Sequence, residues 1–283
     1  MPASPSSSAQ AAREIVATRL RELRQDAGIT GTELAVRCGW THPKTSRIEN
    51  ARTSPSASDI RLWCRACGAD DQAADIIAQS RNAESLYVEW RRKVRAGLKQ
   101  LQESYVPLFK ATELFRVYSA SLVPGFLQTE GYATGVLSSV ARLQDIPDDV
   151  SDAVAARLER SRIIQEPGHR FVLLIEEAVL RYKVGDSEAM AAQLGHLLTV
   201  GALPAVSLGV IPFSSPARPV SPRETFHVYD DTMVAVELLT ARVTVTQPSE
   251  IDLYLKAFGQ LRRLAVYGAE ARALILNAIE TLD

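Results

Sequence analysis

A chain of 283 residues, 46% hydrophobic and 23% charged, is long enough for two domains with a sizeable core. A formal net charge of -1 argues against wholesale electrostatic wrapping of nucleic acid, no apolar run reaches the length of a membrane span, and three cysteines do not make a disulfide framework. The expected setting is a reducing cytoplasm, with no signal-peptide core near the start. Charge is nonetheless uneven: residues 1–68 hold 10 Lys plus Arg against 6 Asp plus Glu, and the remainder holds 22 against 27.

In chain order, Met1 to Gln10 (MPASPSSSAQ) has no periodicity and reads as a tail without structure. Val16, Leu20, Leu23 and Ala27 recur at i, i+4, i+7 and i+11, which predicts an amphipathic helix over Arg13 to Asp26 that Gly28 stops. Thr30 to Pro55 (TGTELAVRCGWTHPKTSRIENARTSP) reads as two short helices joined by a tight turn. Leu34, Ala35 and Cys38 form the apolar face of the first, which starts at Thr30 or Thr32 and breaks at Gly39. The second begins at Thr41 to Pro43 and runs to about Asn50, with Thr45 and Ile48 facing inward and His42, Lys44, Ser46, Arg47 and Asn50 outward. A helix that exposes mixed donors beside a bracing neighbour has what reading a DNA major groove requires.

Ser56 and Asp59 make a capping box for a third helix in this stretch, whose Ile60, Trp63, Cys64 and Cys67 share a face and which Gly68 ends. Cys64-x-x-Cys67 lies on that apolar face without a second cysteine pair or histidine pair, so buried core thiols are expected rather than a metal or redox site. Residues 69–85 read as another short helix anchored by Ile76 and Ile77. Glu84 to Tyr105 aligns Leu86, Trp90, Val94, Leu98 and Leu101 in one stripe, predicting a single long connecting helix over about 81–105 with Arg91, Arg92, Lys93, Arg95 and Lys99 on its other face.

From Val106 the pattern turns to mixed helix and strand. Phe171 to Ile175, Val206 to Ile211, Thr225 to Tyr229 and Thr232 to Leu238 carry the strand signature. Helices are expected over Glu130 to Arg142, Asp148 to Gln165, Ser187 to Val200, Pro248 to Val266 and Ala269 to Leu282. The fold class is therefore an N-terminal all-α helix-turn-helix domain over 11–80 and a C-terminal α+β domain over 106–283.

Glu33 to Ala35 (ELA), Ser46 to Asn50 (SRIEN) and Pro55-Ser56, in that order, resemble the Xre/phage-repressor helix-turn-helix family. The resemblance implies that Thr41 to Asn50 is the recognition helix, with His42, Pro43 and Arg47 reading bases, Lys44 and Ser46 nearby and Asn50 on a phosphate. Arginine suits the task because its planar fork matches guanine O6 and N7. Three positions depart from the family. Gly31 replaces a common glutamine, Pro43 disfavours helix geometry at His42, and Ala51 stands where a glycine usually ends the recognition helix.

The second half also resembles a known family, through LVPGFLQTEGYA at Leu122 to Ala133, AARLERS at Ala155 to Ser161, IEEAVLR at Ile175 to Arg181 and VIPF at Val210 to Phe213. These are similar to the C-terminal domain that follows an Xre reader in actinobacterial antitoxin-like regulators, often encoded beside a small partner protein. Catalysis is not expected. Glu176-Glu177 and Asp230-Asp231 are adjacent pairs that would point to opposite strand faces, and no nucleophile elbow or phosphate-cradling loop is present. Pro124 to Thr129 reads as a rigid turn whose Gln128 and Thr129 cap the next helix, and Pro212 to Pro222 (PFSSPARPVSP) as a mobile surface loop. The reading that results is a regulator of double-stranded DNA, homodimeric, without cofactor or metal, whose C-terminal domain senses a small partner protein or a small-molecule effector. The alternatives are an antitoxin that chiefly neutralises its partner and, from another class, a ligand-processing enzyme tethered to a reader.

Overall fold

Helix α1 (Pro5–Asp26) begins well ahead of the start at Arg13 that the apolar stripe predicts. Proline is tolerated in a first turn, and the alanines after it are strong helix formers, so the expected tail is helical from residue 5. The computed structural model describes residues 5–82, 87–89, 97–146, 148–215, 217–221, 223–239 and 241–282. The chain forms two units: Met1–Tyr87 with Thr244–Asp252, and Val88–Val243 with Leu253–Asp283.

In the first unit α1 is followed by α2 (Gly31–Cys38), α3 (His42–Glu49), α4 (Ala57–Ala66), a 3-10 turn (Asp70–Gln72) and α5 (Ala73–Asn82). Leu20, Leu34, Ile48, Ile60, Trp63 and Cys64 are all essentially inaccessible and form its core with Ile76 and Ile77. Full burial of each such aliphatic side chain contributes on the order of 2 kcal/mol. The Trp63 indole donates to the Leu20 carbonyl at 2.9 Å, so its one polar atom is satisfied inside the core. Helix starts are set by two reciprocal capping boxes, Thr30 with Glu33 and Ser56 with Asp59.

The stops share one geometry. Gly28, Gly39 and Gly68 lie at φ of 67°, 69° and 71°, and each is followed by a residue whose N–H returns to the last turn: Ile29 to Arg24 O, Trp40 to Ala35 O, Ala69 to Cys64 O. This is the Schellman arrangement. Helix α3 stops the same way, with Arg52 N–H on Arg47 O at 2.9 Å, but the left-handed residue is Ala51 at φ 53°.

The second unit departs from the expected single helix over 84–105. Tyr87–Glu89 form strand β1, Gly97 adopts φ 99°, and only at Leu98 does helix α6 (Leu98–Glu103) begin. Gly97 is needed there, because a Cβ would collide with the Asp149 carboxylate. That carboxylate accepts from Leu98 N–H and Lys99 N–H at 3.0 and 2.9 Å, capping α6 from a distant segment. The basic residues Arg91, Arg92, Lys93 and Arg95 lie outside the described residues.

After α7 (Val106–Ala111) the chain continues with β2 (Leu114–Ser119), α8 (Glu130–Gln144), α9 (Val150–Ser161), β3 (Arg170–Glu176), α10 (Ser187–Val200), β4 (Val206–Ile211), β5 (Phe226–Tyr229), β6 (Met233–Glu237), β7 (Ala241–Val245), α11 (Pro248–Arg262) and α12 (Gly268–Glu280). The described strands form one mixed sheet in the order β1-β7-β6-β5-β2-β3-β4. Strands β2, β3 and β4 run parallel, with Val117 opposite Leu173 and Leu173 opposite Leu208. Parallel pairing needs a crossover, which α8 and α9 supply before β3 and α10 before β4. Strand β5 pairs antiparallel with β2, and with β6 in a hairpin. Phe109, Phe115, Phe126, Phe171 and Tyr229 stack at the sheet's centre with ring centroids 4.6 to 6.2 Å apart.

Several expected details are corrected here. Thr129 begins α8 without a side-chain cap; its N–H goes instead to Gln193 Oε1 at 2.8 Å, while Gln128 Nε2 holds the Val123 carbonyl. Glu177 is not on a strand beside Glu176 but in the 3-10 turn after β3, where it accepts from Phe213 N–H and Arg181. Nor is the proline-rich loop free: Arg218 makes a two-pronged ion pair with buried Glu176 at 2.7 and 2.5 Å, and Tyr118 donates to the same carboxylate. Asp230 and Asp231 sit in the β5–β6 turn, where Asp230 accepts from Leu114 N–H and Asp231 pairs with Arg116.

Candidate nucleic-acid interface

The local chain dictates how α3 is presented. Gly39 turns the backbone sharply after α2, and Thr41 supplies the extended residue that opens α3. The helix begins at His42 with Pro43 in its first turn, so proline does not displace the start by a residue. Thr45 and Ile48, three apart, are 1% exposed and bind α3 to the core. The Thr45 hydroxyl has no hydrogen-bond partner among the described residues. From α1, the Arg24 guanidinium pairs with Glu49 at 2.5 Å and also holds the Ile29 carbonyl at 2.8 Å, and Arg21 donates to the Glu49 carbonyl. Both ends of α3 are therefore fixed, one by the turn and the other by arginines from α1.

The residues singled out from sequence fall into two groups. Thr41, His42, Pro43, Arg47 and Asn50 are exposed. Among the described residues the Arg47 guanidinium has no ion pair or hydrogen bond, leaving its fork available. Asn50 is less free, since its Nδ2 donates to the Ser46 carbonyl at 2.7 Å and serves the helix end. Lys44 and Ser46 are half-buried. The Lys44 ammonium is spoken for: it pairs with Asp59 at 2.6 Å and lies 4.2 Å from the centre of the Trp40 ring. That ammonium and the Ser56 cap hold the Asp59 carboxyl below its usual value against the opposing effect of burial. The His42 ring lies beside Gly31, where an added Cβ would meet Nε2 at an unstrained 3.7 Å, so crowding does not require the glycine.

Sequence reasoning passed over Arg52. It is exposed, it follows the left-handed Ala51, and its backbone N–H is tied to Arg47 O. A cation immediately after a helix stop was the available signal. The cysteines, by contrast, are core residues. Cys38 and Cys64 are buried, and desolvation pushes both thiols up to about 11, with Cys67 also raised. No group of three His, Cys, Asp or Glu side chains among the described residues is arranged to hold a metal ion, and no described helix is long and apolar enough to cross a membrane.

Comparison with known families fits this division. Residues 15–75 match the helix-turn-helix domain. Residues 105–277, more than half of the chain, match the domain of unknown function DUF5753. The chain belongs to the DUF5753 family. Among curated proteins none matches it. One solved structure aligned with this DUF5753 protein is that of TrmBL2, an archaeal chromatin protein described as showing a novel mode of DNA binding. It is 12% identical, covers 85% of this chain and 88% of that one, and superposes with a TM-score of 0.32, too low to carry an argument.

Proposed function

We propose that this DUF5753 protein is a cytoplasmic, sequence-specific transcriptional regulator of the Xre type that binds double-stranded DNA as a homodimer. The observation that carries the reading is α3: a helix locked at both ends, with an unpaired Arg47 guanidinium exposed beside His42 and Pro43. Arg47 and His42 read base edges, whereas Lys44, tied to Asp59 and Trp40, shapes the helix start. Arg52 holds a phosphate at the helix end. A single reader of this size contacts few base pairs, so two copies on half-sites about one helical turn apart are expected.

The second unit senses a small-molecule effector or a small partner protein and is not an enzyme. In support, the carboxylates of both adjacent acidic pairs are engaged in structural contacts, Glu176 with Arg218 and Asp230 with backbone N–H groups. The test is selection of bound duplexes from a random pool by the purified full-length protein at stated salt. Enrichment of an inverted repeat is expected. Enrichment of no sequence would contradict a reader acting alone and would favour partner neutralisation as the main role.

A further inference from the structure

The second unit holds more withdrawn positive charge than the fold uses: Arg242 is buried, and Arg157 and Arg160 are half-buried. Arg157 and Arg160 of α9 and Arg242 of β7 converge near Tyr105, behind the sheet position of Tyr229. The Arg160 guanidinium lies 4.8 Å from the Tyr105 ring centre and 5.1 Å from that of Phe109, and Arg242 lies 4.9 Å from Tyr105. Among the described residues none of the three has an ion-pair partner. Arg157 donates only to neutral amides, Gln102 Oε1 at 3.0 Å and Gln128 Oε1 at 2.5 Å. Arg160 Nε and Nη1, Arg242 Nη2 and the Nδ1 of His227 are buried without a hydrogen-bond partner among the described residues. Glu237 is the carboxylate nearest in effect, and it is exposed; Glu224, at the rim beside Arg223, is bonded to Tyr254.

Burial draws the Arg157 guanidinium down to about 10 and Arg160 downward as well; an arginine side chain keeps its proton in proteins. Stacking on aromatic rings offsets part of the desolvation of these cations but satisfies none of their N–H donors. Orphaned charged donors are costly, and natural cores rarely keep them without a use. Here Arg157 and Arg160 border a cavity of about 640 Å³ lined also by Phe126, Val136 and His227, whereas Arg242 lines a neighbouring cavity of about 510 Å³ that also includes Tyr105. A second cavity of about 220 Å³ shares Tyr105, Arg157 and Arg160 with the first and is otherwise walled mainly by aliphatic side chains such as Leu98, Leu137 and Val140. Water could satisfy the donors, but it would not neutralise them.

We propose that this paired cavity is the effector site, and that it takes a small organic acid whose carboxylate meets the Arg157 and Arg160 guanidinium groups that line both cavities, while its apolar body fills the aliphatic annex. The guanidinium fork matches a carboxylate in two-pronged fashion, and mostly apolar walls with a few converging polar groups are the usual make-up of a small-molecule site. The inference deepens the sensing role proposed above and rests on it.

Calorimetric titration of the full-length protein, without DNA, with octanoate and 4-phenylbutyrate tests it, using octanamide, 4-phenylbutyramide and inorganic phosphate as controls. At least one acid should bind with a sub-millimolar constant, and its amide at least tenfold more weakly. Arg160→Met should weaken the acid at least tenfold while raising the melting temperature of the unliganded protein, because a withdrawn cation without an ion-pair partner among the described residues has been removed. A purely structural arginine would lower it. Arg157→Gln reports on the same cavity should the Arg160 variant fail to fold.

Equal binding of acid and amide, equal binding of inorganic phosphate, or no binding of either acid at 10 mM would each overturn the proposal. Binding only by a peptide with a free C-terminus would replace the small molecule with a protein tail. Loss of acid binding with DNA selection intact retires only the effector. Acid binding with no DNA selection retires the regulator reading instead.

Discussion

At the scale of single residues, Ala51 holds a backbone conformation that its own side chain disfavours. Gly28, Gly39 and Gly68 take the left-handed turn without penalty, whereas Ala51 takes it with a Cβ. Ala51 is 5% exposed, so replacing it with glycine loses a little apolar contact while relieving about 1–2 kcal/mol of backbone strain. Ala51→Gly should therefore hold or raise stability, by up to about 1 kcal/mol, in denaturant unfolding of the full chain. A loss of more than that would mean the methyl is worth more to the core than the turn costs.

His227 gives a second residue-scale test. Burial lowers its folded-state value to about 4, while the unfolded chain protonates near 6.5. The unfolded state thus binds the extra proton between those values, and stability present above pH 6.5 is lost as pH falls toward 4. The loss attributable to His227 should be about 2 kcal/mol between pH 7 and 4.5. Comparing the wild type with His227→Gln isolates it: a variant with the same pH dependence as the wild type would show that the imidazole is not held neutral.

At the scale of elements, periodicity located what was locally determined and missed what was decided by distant partners. Helices α2 and α4 were legible because each carries its own start and stop: Thr30 with Glu33 and Gly39, Ser56 with Asp59 and Gly68. Strands β3 to β6 were legible as β-branched and apolar runs. Strand β2 was not, since Arg116 interrupts it and only pairing with Phe171–Ile175 and Phe226–Tyr229 makes it a strand. The connecting stripe failed for the same reason: what begins α6 is Asp149, some fifty residues away.

The cavity arginines had a signal that went unread. Arg157 falls on the buried stripe of Val150, Ala153, Val154 and Ser161, where a charge should prompt a question. On the proposed DNA-facing side, exposure of His42 and Arg47 was legible, but the engagement of Lys44 with Asp59 was not, because it joins two helices.

The proline-rich loop offers an element-scale prediction. Its tie is the Arg218–Glu176 pair, with Glu176 6% exposed. Arg218→Ala leaves that carboxylate with the Tyr118 hydroxyl alone and should cost about 2 kcal/mol, somewhat below the cost of breaking a fully buried pair because Arg218 is partly exposed. Faster proteolysis within 212–222 should accompany the loss. Unchanged stability and unchanged cleavage would show that the loop is held by other contacts.

At the scale of the whole molecule, the chain joins a modestly basic reader to a mildly acidic body, so that phosphate attraction is confined to one end. On the proposed reading, dimerisation is what turns a weak reader into a specific one. Sedimentation of the full-length protein should give a mass near twice 30.9 kDa at micromolar concentration; a monomer both free and on DNA would rule out the two-half-site arrangement. Arg52→Ala should weaken binding to all duplexes alike and reduce the salt slope by about one.

The most direct test of α3 as the reading element is to repeat the random-pool selection with Arg47→Ala beside the wild type at the same salt. The account predicts the same inverted repeat from both proteins, with one base pair in each half-site relaxed in the variant and affinity lower by about 1–3 kcal/mol. An identical motif bound with unchanged affinity would contradict it and move the reading surface away from α3.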